Sequence, residues 1–285
     1  MIYPARYFYF FGGPMKKKTN VRILTECSIM TALCTVLSIV KLFEMPYGGS
    51  ITLASMMPVA IISYRHGTRY GVLTASAVSI IQMLLGVKNF SYFTSWQSLV
   101  ALAVLDYALA FAVFGLVGLM RPLIKRQSIS LGVGVAAASI IRYACHVISG
   151  ATVWAGLSIP SEAALVYSLS YNATYMIPET VILVLCTVYV GASLDLTAPI
   201  PTRIKSMGGA KLPILYVAAA LSALAALVTD TVLVFSKLQS DSGEINLTAL
   251  SEVNWIAVAI VSAVCAALAL ALILIERTNK KTKPE

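Results

Sequence analysis

Charged side chains are scarce in this sequence: Asp, Glu, Lys and Arg make up 12% of its 285 residues, against about 25% in an ordinary soluble domain. So few charges cannot cover a water-exposed surface, which excludes a soluble globule as the main body. The arrangements that support common chemistries are also missing. There is no G-x-S-x-G elbow, no H-E-x-x-H pair, no phosphate loop and no G-x-G-x-x-G after a strand. An enzyme is therefore not expected, and any ATP-driven step falls to another chain. The five cysteines (Cys27, Cys34, Cys145, Cys186 and Cys265) lie in apolar stretches without a C-x-x-C pair. They read as small packing residues, with no disulfide framework, metal site or cofactor expected. The N-terminus lacks the charged, apolar and small-residue order of a cleavable signal. Met15, followed by three lysines, reads as a better start than Met1.

What is abundant is apolar surface, at 59% of residues and a mean hydropathy of +0.84. A bilayer core about 30 Å thick takes about 20 apolar residues per helical crossing. Eight such stretches are present: 22–43, 50–64, 67–86, 97–120, 130–154, 168–193, 212–236 and 255–275. The expected fold is all-α and polytopic, a six-helix bundle followed by two extra C-terminal transmembrane helices. The expected division is a tail over 1–20, the core over 21–193, a linker over 194–211, a two-helix extension over 212–276 and a basic tail over 277–285. The net charge of +9 does not point to nucleic acid, because its distribution follows the loops. With the N-terminus inside, 17 of the 21 Lys and Arg residues fall in inside segments, the pattern that orients membrane proteins. Both termini are thus expected in the cytoplasm, and the membrane expected is the plasma membrane.

Charges within spans are costly, at about 2.5–3.5 kcal/mol each on insertion scales, so each invites an explanation. Away from the first helix they are Asp106, Arg142, Glu179 and Asp230, joined by the polar His146 and Asn172. At 1.5 Å per residue, Asp106 and His146 lie about 12–13 Å below the outer surface. The outer half of the core therefore gathers Asp106, Tyr107, His146, Trp154, Tyr167, Tyr171 and Asn172, with Trp96, Glu44 and Tyr47 close by. A carboxylate, aromatic faces and an amide together suit a flat, nitrogen-rich, cationic molecule. Aromatic residues near a bilayer surface are also ordinary interfacial anchors, and an intramembrane His also serves as a helix-to-helix hydrogen bonder. Arg142 and Glu179 fall near mid-membrane on consecutive antiparallel helices and are assigned to each other as a structural ion pair. Asp230 lies near the outer end of its helix, where water can solvate it. Ser28-x-x-x-Ala32 in the first helix is a small-residue step that permits close helix approach.

Two strings are more specific than these features: Arg142-x-x-x-His146-x-x-x-Gly150-x-x-x-Trp154, and Tyr167-Ser168-Leu169-x-Tyr171-Asn172-x-x-Tyr175-x-x-Pro178-Glu179. With Pro46-Tyr47-Gly48-Gly49-Ser50-Ile51-Thr52-Leu53, Met57-Pro58, Arg65-x-Gly67 and Leu105-Asp106-Tyr107-x-Leu109-Ala110, they resemble the thiamine-specific substrate-binding subunit of energy-coupling factor transporters. The resemblance covers about residues 21–193. It implies a six-helix subunit that binds thiamine from outside and works with a membrane-embedded coupling subunit and two cytoplasmic ATPases. By position it implies ligand contacts from Asp106, Tyr107, His146, Trp154, Tyr167 and Asn172, with Trp96 and Glu44 as additions, and a coupling-subunit interface at Ser28 and Ala32. Three departures stand out: Asp106 where that family usually has Glu, Ser28 where its coupling step has Ala, and the two extra helices. Thiamine and its hydroxymethylpyrimidine precursor both remain open as ligand. So does a self-sufficient proton-coupled transporter in which Asp106 or Glu179 carries the proton.

Overall fold

The structure is a computed structural model that describes residues 17–45, 48–155, 164–204, 214–238 and 247–281. The 1–16 part of the tail, Tyr47, the 205–211 part of the linker and Lys283 lie outside the described residues. The first helix, α1 (Lys17–Ile39), carries many hydroxyls that turn back onto its own backbone. Thr25, Ser28, Thr31 and Thr35 each donate to the carbonyl four residues earlier, at 2.9 Å. Such local bonding lets polar residues sit in a membrane helix without a partner in lipid.

After α1 the chain forms an antiparallel hairpin, β1 (Lys41–Glu44) with β2 (Ser50–Thr52), in register Lys41↔Thr52, Phe43↔Ile51 and Glu44↔Ser50. This corrects the expected second span, because 50–52 is strand and only α2 (Met57–His66) is helix. Its 10 residues reach about 15 Å, half the hydrocarbon thickness. Pro58 in its first turn fits a helix start but cannot extend one backwards. Its run from Pro58 to Tyr64 is buried, and irregular backbone at membrane depth is tolerated where protein surrounds it.

Next come α3 (Thr68–Leu85), a 3₁₀ turn over Val87–Tyr92, and α4 (Trp96–Met120). The last is one continuous run whose pitch changes: α-helical at first, wide π-helical turns over Ala103–Leu109, then a tighter 3₁₀ stretch over Val113–Met120. Behind the tight stretch, α2 and α3 approach closely. Ser63 Oγ donates to the Gly115 carbonyl at 2.5 Å and accepts from Gly118 N at 2.8 Å, and a Cβ on Gly71 would stand 2.5 Å from the Gly115 oxygen. Helices α5 (Gln127–Thr152) and α6 (Ala164–Ser193) then pack along their length as an antiparallel pair. A short hairpin, β3 (Leu194–Asp195) with β4 (Thr202–Arg203), follows.

The N-terminal part of α1 is tied to this core by Glu26, which pairs with Arg22 (3.3 Å), Arg65 (3.1 Å) and His66 (2.7 Å). Arg65 is only 3% exposed and also donates to the carbonyls of Leu196 (2.8 Å), Ala198 and Pro199 (3.3 Å each).

The last two helices, α7 (Ile214–Leu238) and α8 (Trp255–Lys281), pack on each other, and α7 touches α6. Ser222 Oγ donates to the Cys265 carbonyl at 3.0 Å, and Ser262 donates to Asp230. Asp230 thus faces α8 rather than water, which corrects the solvated reading. Among the described residues, six helices are long and apolar enough to cross a membrane. The protein is an all-α, multi-pass membrane protein.

Candidate functional site

A cavity of about 950 Å³ opens between the β1–β2 hairpin, the end of α3 and its following turn, and the facing walls of α4, α5 and α6. Its polar centre is Asp106, carried by the π-helical turns of α4. Such turns widen the helix and recur at functional sites. The carboxylate has three polar partners: His146 Nδ1 lies 2.9 Å from Oδ1, and Ser149 Oγ and Trp154 Nε1 donate to Oδ2 at 2.8 Å and 3.2 Å. His146 and Ser149 are three residues apart and so share one face of α5.

Arg142 extends this network. Its Nε donates to His146 Nε2 at 3.4 Å and its Nη1 lies 3.3 Å from Glu179 Oε2. Glu179 Oε1 accepts from Thr52 Oγ1 at 2.8 Å, so the chain of contacts runs from α4 through α5 and α6 to β2. The Arg142 guanidinium also sits over the Phe111 ring, 4.8 Å from its centroid, a cation–π arrangement. Arg142 and Glu179, read from sequence as a pair apart from the ligand site, both line the cavity wall.

The aromatic lining comes from two sides. Tyr167, Tyr171 and Tyr175 rise along α6 at intervals of four, the first two stacked (6.4 Å, 9°) and the last two edge-to-face (5.9 Å). Across from them, Trp154 is buried against the edge of Phe93 at 4.8 Å and near Tyr92 at 5.9 Å. Tyr107 stacks on Phe90 at 5.6 Å, and its hydroxyl accepts from Asn89 Nδ2 at 3.2 Å. Asn172 is buried, with Nδ2 donating to the His146 and Ser168 carbonyls and Oδ1 accepting from the Tyr175 hydroxyl at 2.8 Å. At the rim, Glu44 pairs with Lys41 at 2.6 Å and keeps its side chain 59% exposed.

Seven of the eight residues read from sequence as ligand contacts line this cavity: Glu44, Asp106, Tyr107, His146, Trp154, Tyr167 and Asn172. Trp96 does not. It opens α4, just after the Ser95 N-cap, and is 69% exposed, pointing away from the bundle. This is a correction: of the neighbouring aromatics it is Tyr92 that lines the cavity, while Phe93 packs against Trp154. Thr52, Ser149, Asn89 and Tyr175 were not among the expected contacts. Ser149 was accessible in principle, since it falls three residues after His146 on the same helical face. Thr52 and Asn89 reach the site only through the hairpin and the 3₁₀ turn, which carry no periodic signal. Among the described residues, no three His, Cys, Asp or Glu side chains converge as metal ligands would. Ser28 and Ala32 are both exposed on α1, away from this cavity.

Residues 24–197 match the family model described as Thiamine transporter protein (Thia_YuaJ). The Thiamine transporter ThiT of Bacillus subtilis (strain 168) is 36% identical over 190 residues, which is 62% of this chain and 94% of that protein. The matched region holds the hairpin, the cavity and its whole polar network, and ends before α7 and α8. On the strength of that match the chain belongs to the thiamine transporter (Thia_YuaJ) family.

Proposed function

We propose that this protein binds thiamine from outside the cell and serves its uptake across the plasma membrane, with both termini in the cytoplasm. The observation that carries this reading is the Asp106 carboxylate, held by His146, Ser149 and Trp154 in an aromatic-walled cavity inside the family-matched region. Thiamine joins a permanently charged thiazolium to an aminopyrimidine. Asp106 supplies the counter-charge, with Glu44 of opposite sign to the ligand at the rim. Trp154, Tyr107 and the Tyr167–Tyr171 stack supply faces for the two rings. Asn172 Oδ1 accepts one hydrogen from Tyr175 and keeps a second lone pair for an exocyclic amine, while His146 borders the charged end. Arg142 with Glu179 balances charge in the wall, so that the inner cavity carries one net negative charge toward one cationic ligand.

Uptake by this chain requires a source of energy, and the sequence holds no phosphate loop. We therefore assign it to a complex with a membrane coupling subunit and two cytoplasmic ATPases, docked on α1 through Ser28 and Ala32. Calorimetric titration of the detergent-solubilised protein with thiamine and with hydroxymethylpyrimidine tests the ligand. Saturable binding of thiamine, stronger than that of the pyrimidine, is expected, and no thiamine binding overturns the reading. Uptake that persists in cells lacking any such ATPase would instead favour a self-sufficient, proton-coupled transporter.

A further inference from the structure

His146 stands between two groups that cannot exchange roles. Asp106 Oδ1, 2.9 Å from Nδ1, can only accept, since a carboxylate has no hydrogen to donate. Arg142 Nε, 3.4 Å from Nε2, can only donate, since a guanidinium has no acceptor. An imidazole satisfies both neighbours in one form alone, the neutral ring with its hydrogen on Nδ1. A second proton on Nε2 would point at the guanidinium and bring two cations into contact.

We propose that Arg142 is a positioning residue for cation binding: it holds His146 neutral, so that the charge of Asp106 stays uncompensated and available to a cationic ligand. The proposal rests on the thiamine reading above. Without Arg142, an imidazolium would form against Asp106 and cancel the charge that the ligand needs. Around the imidazole, α4 presents Asp106 and Tyr107, α5 presents Arg142, and α6 presents Tyr167, Tyr171, Tyr175 and Glu179. Lys41 and Glu44 of β1 and Lys88 after α3 line the same cavity farther out. Histidine is the side chain among these types whose ordinary titration falls between pH 6 and 8, so a pH effect on binding in that window reports on His146.

Two measurements test this. Replacing Arg142 alone would strand Glu179, so the variant is Arg142→Gln combined with Glu179→Gln, which removes both charges together. For the native protein the thiamine dissociation constant should change by less than about threefold between pH 8 and pH 6. For the double variant it should rise by at least about fivefold as pH falls, and adding His146→Gln should abolish that rise. A flat profile in the double variant overturns the proposal. Independently, ¹⁵N-histidine NMR of the native protein, which has only two histidines, should show His146 with its single hydrogen on Nδ1 at pH 6–7. A doubly protonated ring there overturns the proposal without any appeal to ligand. If the native protein fails to bind thiamine while the NMR result holds, the ligand reading falls and the role of Arg142 toward His146 stands.

Discussion

The indole Nε1 of Trp154 donates to Oδ2 of Asp106 at 3.2 Å, so the aromatic wall and the counter-charge of the cavity are one unit. Trp154→Phe keeps an aromatic face but removes this donor, whereas Asp106→Asn keeps the shape and removes the charge. A hydrogen bond to a charged group is worth about 1.5–3 kcal/mol. Asp106→Asn is expected to raise the thiamine dissociation constant at least about tenfold, and Trp154→Phe by a smaller factor, about threefold to tenfold. Calorimetry reads both, and unchanged affinity in Asp106→Asn would remove the site from this cavity.

Intramembrane polarity made much of this site legible. Asp106, His146 and Asn172 are rare residues in apolar surroundings, and helical depth places them together, whereas depth set Arg142 and Glu179 nearer mid-membrane, as a pair apart from the site. Depth and the family resemblance both brought Trp96 to the site, yet it stays outside the cavity lining, because neither says which way a side chain points. The second span was misjudged for a related reason. Hydropathy over 50–64 is set by burial, and a strand followed by a buried half-length helix is as apolar as a crossing. Thr52 entered the network only by pairing of β2 with β1, a long-range outcome that no local period encodes. The fixed pattern of Ser262 with Asp230 is likewise a property of two helices packing, not of either alone.

The Arg142–Glu179 pair is well buried, with side chains 11% and 6% exposed. Removing one member of such a pair strands a charge and costs about 3–5 kcal/mol, while removing both costs less. Glu179→Gln is therefore expected to lower thermal stability more than Glu179→Gln combined with Arg142→Gln. Equal losses in thermal-shift measurements would mean that the two residues are not coupled.

Ala32 is exposed on α1, and bulk at a small-residue step keeps two helices apart. Ala32→Leu should leave the thiamine dissociation constant within about twofold while abolishing uptake in cells. Parallel loss of binding and uptake would assign α1 to the fold of the site rather than to docking.

Arg65 offers a contrasting case at the other end of α1. It joins three elements, pairing with Glu26 of α1 from its own place on α2 and donating to the carbonyls of Leu196, Ala198 and Pro199 after α6. A lysine can keep the charge but not the fork that spans four acceptors. Glu26 lies 12 residues before Ser38, the first of the two α1 residues that line the cavity, a separation of about 18 Å along the helix. Arg65→Lys and Arg65→Ala should therefore both lower thermal stability, alanine more than lysine, since alanine also takes the donor from the carbonyl of the buried Leu196, at about 1–3 kcal/mol. Ligand affinity of the folded protein should stay within about threefold of the native value in both, because nothing at the cavity has been touched. A thermal-shift series alongside calorimetry separates the two effects. A tenfold loss of affinity in Arg65→Lys, with stability nearly native, would show that the N-terminal part of α1 governs the distant cavity, and the independence argued from distance would be wrong.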